Sequence, residues 1–141
     1  MDIRSSILET AVKAREASFT LGRTPADRKD RALRAMAEAL RKHEASLREA
    51  NAADVALARE RGLSKAMIDR LTLTAATVEG MARGLEEVAA LPDPVGRVTG
   101  MWRRPNGLLV GRMRIPLGVI GIISEARPNV TVDAAALCIK S

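Results

Sequence analysis

A chain of 141 residues with one cysteine, Cys138, and one histidine, His43, excludes an internal disulfide and a metal centre built from Cys and His, and it suits a reducing compartment. Its 47% hydrophobic content leans on alanine, with Phe19 and Trp102 as the only aromatics; aromatics bury roughly 150–250 Å² each, so a self-sufficient core is not expected. The net charge of +6 favours anionic partners in general, but the bases alternate with acids, as in Asp27-Arg28-Lys29-Asp30-Arg31, and no basic stretch carries the aromatics on which single strands stack, which argues against nucleic acid.

The opening Met1-Asp2-Ile3-Arg4-Ser5-Ser6 has no apolar stretch of a secretory signal. Residues 2–18 read as a first helix, with Ile3, Ile7, Leu8, Ala11, Val12 and Ala14 at helical spacing, broken at Leu21-Gly22-Arg23. Thr24 then reads as a cap, Pro25 as the first helical residue and Asp27 as an acid at the positive helix end. The helix that follows is expected to run to about Ala50, with Leu33, Met36, Leu40 and Leu47 on one stripe. His43 lies on that stripe and reads as a boundary residue beside a packed face, not as a catalyst. Asn51 reads as the cap of a further helix, Ala52–Arg61, stopped by Gly62. Ser64–Leu71 reads as a short helix, and Thr74–Ala90 as another with Val78, Met81, Leu85 and Val88 on one face, ended by Leu91-Pro92-Asp93-Pro94.

The pattern changes at Val95. Arg97–Trp102 and Leu108–Ile115 read as strands joined through Pro105-Asn106-Gly107, a strong hairpin signal. Pro116 separates this ribbon from the apolar run Leu117–Ile123, which reads as a strand and is too short to span a bilayer. No internal repeat or low-complexity linker is present. An uncovered hairpin and an apolar strand without sheet neighbours are liabilities in isolation. They point to the front part of a larger enzyme that covers them, through a second subunit or its own chain.

The most informative segment follows. The strand Leu117–Ile123 leads into the polar turn Ser124-Glu125-Ala126-Arg127-Pro128-Asn129, then an alanine-rich helical pattern, Val130–Lys140. Strand, polar turn and helix is how a nucleotide-binding α/β sheet begins, and ligands gather at the carboxyl ends of such strands. Arg127 suits a phosphate or carboxylate held by two prongs. Asn129 suits a developing oxyanion, or equally serves as a plain helix cap. Glu125 suits a ribose hydroxyl or the orientation of Arg127; the plain reading of that pair is a surface ion pair of roughly 0–1 kcal/mol. Ser124 adds a hydroxyl. The glycines at 118 and 121 precede the turn, so the Gly-x-Gly-x-x-Gly fingerprint of dinucleotide sites is absent. Cys138 has no base nearby and reads as a small thiol packed toward the sheet.

These residues carry a specific resemblance. Asp93-Pro94-Val95-Gly96, Trp102–Leu108, and Arg112 through Asn129-Val130-Thr131 to Lys140-Ser141, with Arg127–Thr131 the distinctive marker, resemble the γ-glutamyl phosphate reductase (glutamate-5-semialdehyde dehydrogenase) family of the aldehyde dehydrogenase superfamily. The N-terminal helices resemble it too, in Arg15–Arg31 and Asn51-Ala52-Ala53-Asp54, so the likeness covers the whole chain. It implies NADPH-dependent reduction of L-glutamyl 5-phosphate to L-glutamate 5-semialdehyde with release of phosphate, the second step of proline synthesis, through a thioester on a cysteine. The family's chains are several times longer, and that cysteine lies downstream of these residues; Cys138 does not match it. In the wider superfamily an asparagine of this turn helps hold the oxyanion, and Arg127 or Asn129 takes that place according to where a gap is set. Ser124 stands where many members have tyrosine.

The expected architecture is α/β: a helical region over 1–94, a β-ribbon over 95–116, and over 117–141 the first strand, turn and helix of a Rossmann-type NADP-binding domain, incomplete here. The expected site has Asn129 as oxyanion residue, Ser124 and Glu125 toward NADP and Arg127 toward the substrate, with no metal. The expected setting is cytoplasmic, without membrane or nucleic acid, with a homo-oligomer through the ribbon in the full-length form and no activity in these residues alone. The alternative is a non-catalytic helical module that pairs its ribbon with a full-length partner.

Overall fold

The structure, a computed structural model, describes residues 2–125 and 127–141, so Ala126 of the polar turn lies outside the described residues. Among these, six helices and one two-stranded antiparallel ribbon occur: α1 (Ile3–Leu21), α2 (Ala26–Lys42), α3 (Glu44–Glu60), α4 (Lys65–Leu71), α5 (Ala75–Ala90), β1 (Val98–Arg103), β2 (Leu109–Met113) and α6 (Pro128–Lys140). The chain is α/β, a helical layer with a ribbon. No described helix is long and apolar enough to cross a membrane.

The core lies where α2, α5 and α6 meet. Leu33 and Ala37 of α2, Ala82, Leu85 and Ala89 of α5, and Ala136 of α6 are buried together. Four of these six are alanines, which let helix backbones approach closely and leave little apolar bulk in the core. Leu73, Val78 and Met81 form a smaller cluster beside it. By contrast α1 buries no residue and exposes Ile3, Ile7 and Phe19.

Helix starts and stops refine the sequence reading. Pro25, not Thr24, is the N-cap of α2, and the Thr24 hydroxyl donates back to the Thr20 carbonyl at 2.9 Å. α2 ends at Lys42, well before Ala50, and α3 runs through Asn51 without a break. Asn51 is therefore not a cap. It is buried in mid-helix, where its amide donates to the Leu71 carbonyl at 2.9 Å and accepts from the Leu73 N–H at 2.7 Å. Tertiary demand overrides the capping propensity: the α4–α5 connection needs a donor and an acceptor that no local backbone supplies. Gly62 closes α3 as read, with Gly62 N–H donating to Arg59 and Leu63 N–H to Ala58. Ser64 and Thr74 cap α4 and α5 through side-chain bonds to the Met67 and Thr77 N–H groups.

The ribbon forms as read, with Trp102 opposite Val110 and a register shift between Val98 and Gly100. Its turn is a three-residue loop. The Gly107 N–H donates to the Arg104 carbonyl at 2.9 Å, and Gly107 takes the left-handed φ of 86° that this loop requires. The Arg112 guanidinium lies over the Trp102 ring, 5.8 Å from its centroid.

The expected strand Leu117–Ile123 does not form a ladder among the described residues. Gly118 has φ +83°, incompatible with a regular strand, and no neighbouring strand offers backbone partners. Leu117, Val119, Ile120, Ile122 and Ile123 are all exposed.

Charge ties the layer together. The Arg41 guanidinium on α2 bridges two carboxylates of α5, holding Glu79 with two bonds of 2.9 Å and Glu86 at 2.5 Å. Those bonds raise the Arg41 pKa and hold both carboxyls below the usual range. Lys29 of α2 reaches Asp93 at 3.0 Å. Burial opposes ionisation of Asp93, but the Val95 N–H and Lys29 outweigh it and hold its carboxyl below the usual range. A depressed folded pKa contributes stability that is complete above the unfolded value and lost as pH falls through the folded value. Thermal melts from pH 7 downward are therefore expected to stay level until the ordinary carboxylate range and then fall. In the Asp93→Asn variant the acid slope should be shallower; an unchanged slope would show that this carboxylate does not carry it.

Candidate functional site

The start of α6 organises the polar turn. Pro128 occupies its first position, where the N–H it lacks would have no helical partner. A residue before proline is pushed to extended backbone, and Arg127, the N-cap, has φ −128° and ψ 101°. The Arg127 side chain makes no capping bond, and the Val130 N–H donates to the Arg127 backbone carbonyl at 3.2 Å. Asn129 is then the second residue of the helix, and its reading as a cap is overturned.

This start divides the predicted site. Residues two apart on a helix point about 200° apart, and residues four apart share a face. Ser124, Arg127 and Thr131 accordingly line one groove of about 410 Å³, against Asn51 and Asp54 of α3. Asn129 and Asp133 line another of about 220 Å³, against Thr77, Gly80 and Met81 of α5. The turn's guanidinium and amide thus serve different surfaces. Glu125 is exposed and joins neither groove. No ion pair links it to Arg127 among the described residues.

The grooves have different chemistry. The first offers the Arg127 cation and the Ser124 and Thr131 hydroxyls at the positive end of a helix, facing Asn51 and Asp54, a set that suits a phosphate-bearing ligand. The second offers an amide and a carboxylate one helical turn apart. Asp54 and Asp133 are the residues that reading the turn alone misses. The available signal for Asp133 was its spacing of four from Asn129; Asp54, in a different helix, had none.

Cys138 is half-buried near the far end of α6, in a small pocket of about 20 Å³ beside Ser18, Leu21 and Pro116. It packs against the end of α1 and the segment after the ribbon, not against a sheet. Nine residues along the helix put it roughly 13 Å from Asn129, beyond any shared chemistry. His43, at the α2–α3 junction, is exposed at the rim of an apolar groove of about 300 Å³ that includes Leu40, Leu85 and Val132. That is the packed-face boundary its stripe predicts. Among the described residues no group of three or more His, Cys, Asp or Glu side chains is placed to hold a metal ion.

Similarity to known proteins runs the length of the chain. Over all 141 residues it is 56% identical to a γ-glutamyl phosphate reductase of Citrifermentans bemidjiense and 52% identical to one of Moorella thermoacetica, covering 34% of each relative. The crystal structure of γ-glutamyl phosphate reductase from Thermotoga maritima matches 94% of the chain with a TM-score of 0.90 at 43% identity, over 32% of its own length. The Saccharomyces cerevisiae enzyme matches 94% with a TM-score of 0.88 at 34% identity, over 34% of its length. The chain thus spans about a third of the proteins it matches, their N-terminal part. No protein-family model matches it.

Proposed function

We propose that this chain, which matches the N-terminal third of γ-glutamyl phosphate reductases over its whole length, belongs to that family and supplies that third of an NADPH-dependent reductase. The reaction is reduction of L-glutamyl 5-phosphate to L-glutamate 5-semialdehyde with release of phosphate, in proline synthesis. The observation that carries this reading is the identity of 56% over all 141 residues, joined to a backbone match of 0.90.

In this reading Asn129 donates its amide to the oxygen on which charge develops when the acyl carbon is attacked. The groove at Ser124 and Arg127 fits a phosphate-bearing group, since a guanidinium and two hydroxyls, those of Ser124 and Thr131, stand at the positive end of α6. Ser124 and Arg127 would hold the phosphates of the cofactor or substrate there, and Glu125 would reach a ribose hydroxyl from the exposed side of the turn. NADPH, when bound, supplies the hydride. The thioester forms on a cysteine outside these residues, and 117–141 serves as the opening of the cofactor-binding domain, in a cytoplasmic enzyme.

The chain by itself is expected to be inactive, because losing the nucleophile removes the covalent route. NADP- and phosphate-dependent oxidation of glutamate semialdehyde should stay at the no-protein blank with the chain alone. It should rise when the chain is co-expressed with the C-terminal two-thirds of a relative. Turnover by the chain alone would refute its expected inactivity. A silent pair beside an active intact relative would count against the family role.

A further inference from the structure

The groove that holds Asn129 contains one charged residue, Asp133. The two lie four apart on α6, so they share a face and stand roughly 6 Å apart along the helix axis. The opposing wall, Thr77, Gly80 and Met81 of α5, is open at its glycine. Gly80 lines the groove, and a Cβ placed on it would meet nothing within 4 Å. Gly84, one turn on, has no side chain where one would approach the Asp133 carboxylate, its Cβ falling 3.7 Å from Oδ1. Two glycines one turn apart on α5 thus leave room in front of two polar residues one turn apart on α6. Asp133 is exposed and joins no ion pair among the described residues.

A carboxylate without a cation, in a groove with an amide suited to an acyl oxygen, matches a molecule that carries an activated acyl group at one end and an ammonium at the other. In an extended glutamyl chain four bonds separate the acyl carbon from the α-nitrogen, a span of roughly 5 Å at ordinary bond lengths. That is close to the rise between Asn129 and Asp133. Resting on the reductase reading above, the geometry points to Asp133 as the residue that recognises the α-ammonium of the glutamyl substrate, with Asn129 at the acyl end.

The test uses a matched pair of probes on the 141-residue chain, followed by amide NMR shifts. L-Glutamate 5-methyl ester carries a neutral acyl end and the α-ammonium; monomethyl glutarate is the same molecule without the ammonium. The amino ester is expected to shift Thr77–Met81 and Asn129–Asp133 and to bind about tenfold more tightly, the worth of one charge-assisted hydrogen bond. Asp133→Asn should abolish that preference and Asp133→Glu should restore part of it. Asp133 is exposed, so both variants should fold, which their melts would verify. Equal binding of the two esters within this groove would overturn the assignment of Asp133 while leaving the reductase reading standing. Failure of both esters to shift this groove, with a silent co-expressed pair in the activity assay, would overturn the two together.

Discussion

Replacing Lys140 by alanine is expected to lower folding stability by about 2–4 kcal/mol, somewhat less than breaking a fully buried ion pair from one side, because the Asp30 side chain keeps 23% of its exposure. Lys140 is only 4% exposed although it belongs to the most strongly hydrated class of side chain. Its ammonium donates to the Asp30 carboxylate of α2 and, at 3.1 Å, to the Ala89 carbonyl at the end of α5. It also helps hold the nearby Asp93 ionised. One nitrogen therefore joins the three helices that build the core, at the end of α6 farthest from the turn. Removing it leaves the Asp30 carboxylate and a backbone carbonyl without their donor in a poorly hydrated place, and that exposed debt, rather than the lost attraction, sets the size of the effect. The distinction can be measured by urea unfolding. Lys140→Met should be strongly destabilised, and Asp30→Asn in the same background should recover much of the loss, because the second change removes the stranded charge. A double variant no more stable than Lys140→Met alone would mean that the cost is packing around the lysine stem.

What was legible in the sequence divides along the same line between local and long-range causes. The apolar period found α1 and α5, and the Pro105-Asn106-Gly107 signal found the ribbon, since each depends on residues a few positions apart. The end of α2 at Lys42 was not legible: Arg41-Lys42-His43-Glu44 contains neither proline nor glycine, and the chain turns there because α3 must present Asn51, Val55 and Ala58 inward. The run Leu117–Ile123 has strand composition, but a strand needs a neighbour as well as a composition, and Gly118 takes a backbone no strand shares. The polar turn was legible as a cluster of chemical groups. How those groups divide was not, because it depends on where α6 begins. A start at Pro128 places Arg127 and Asn129 on opposite sides of the helix, and a start two residues later, at Val130, would have made Asn129 the cap. The pairing of buried Lys29 with Asp93 and of buried Lys140 with Asp30 had no local signal, since in sequence these residues look like ordinary solvated charges.

Asn51→Ala is expected to cost about 2–4 kcal/mol, because it strands two backbone groups at once. The Leu73 N–H is buried and the Asn51 carbonyl oxygen is its partner at 2.7 Å; the Leu71 carbonyl takes the amide hydrogen at 2.9 Å. These two bonds fix the short link between α4 and α5 against the middle of α3, and Leu73 in turn packs on Val78 and Met81. The effect should therefore reach beyond stability. Met81 lines the groove of Asn129 and Asp133, and Leu73 lines that of Ser124 and Arg127, so loosening the link disturbs the α5 wall of one and the floor of the other. Hydrogen exchange should show the amides of Leu73–Met81 losing protection in Asn51→Ala well before those of Leu33 and Ala37, which sit in the separate core of α2 and α5. Asn51→Asp tests the mechanism from another side. It keeps an acceptor for the Leu73 N–H but has no hydrogen for the Leu71 carbonyl at neutral pH, so its loss should combine the stranded Leu71 carbonyl with the cost of a buried carboxylate, with Leu73 still protected. Equal loss of protection at Leu73 in both variants would show that the link is held by packing and not by the asparagine.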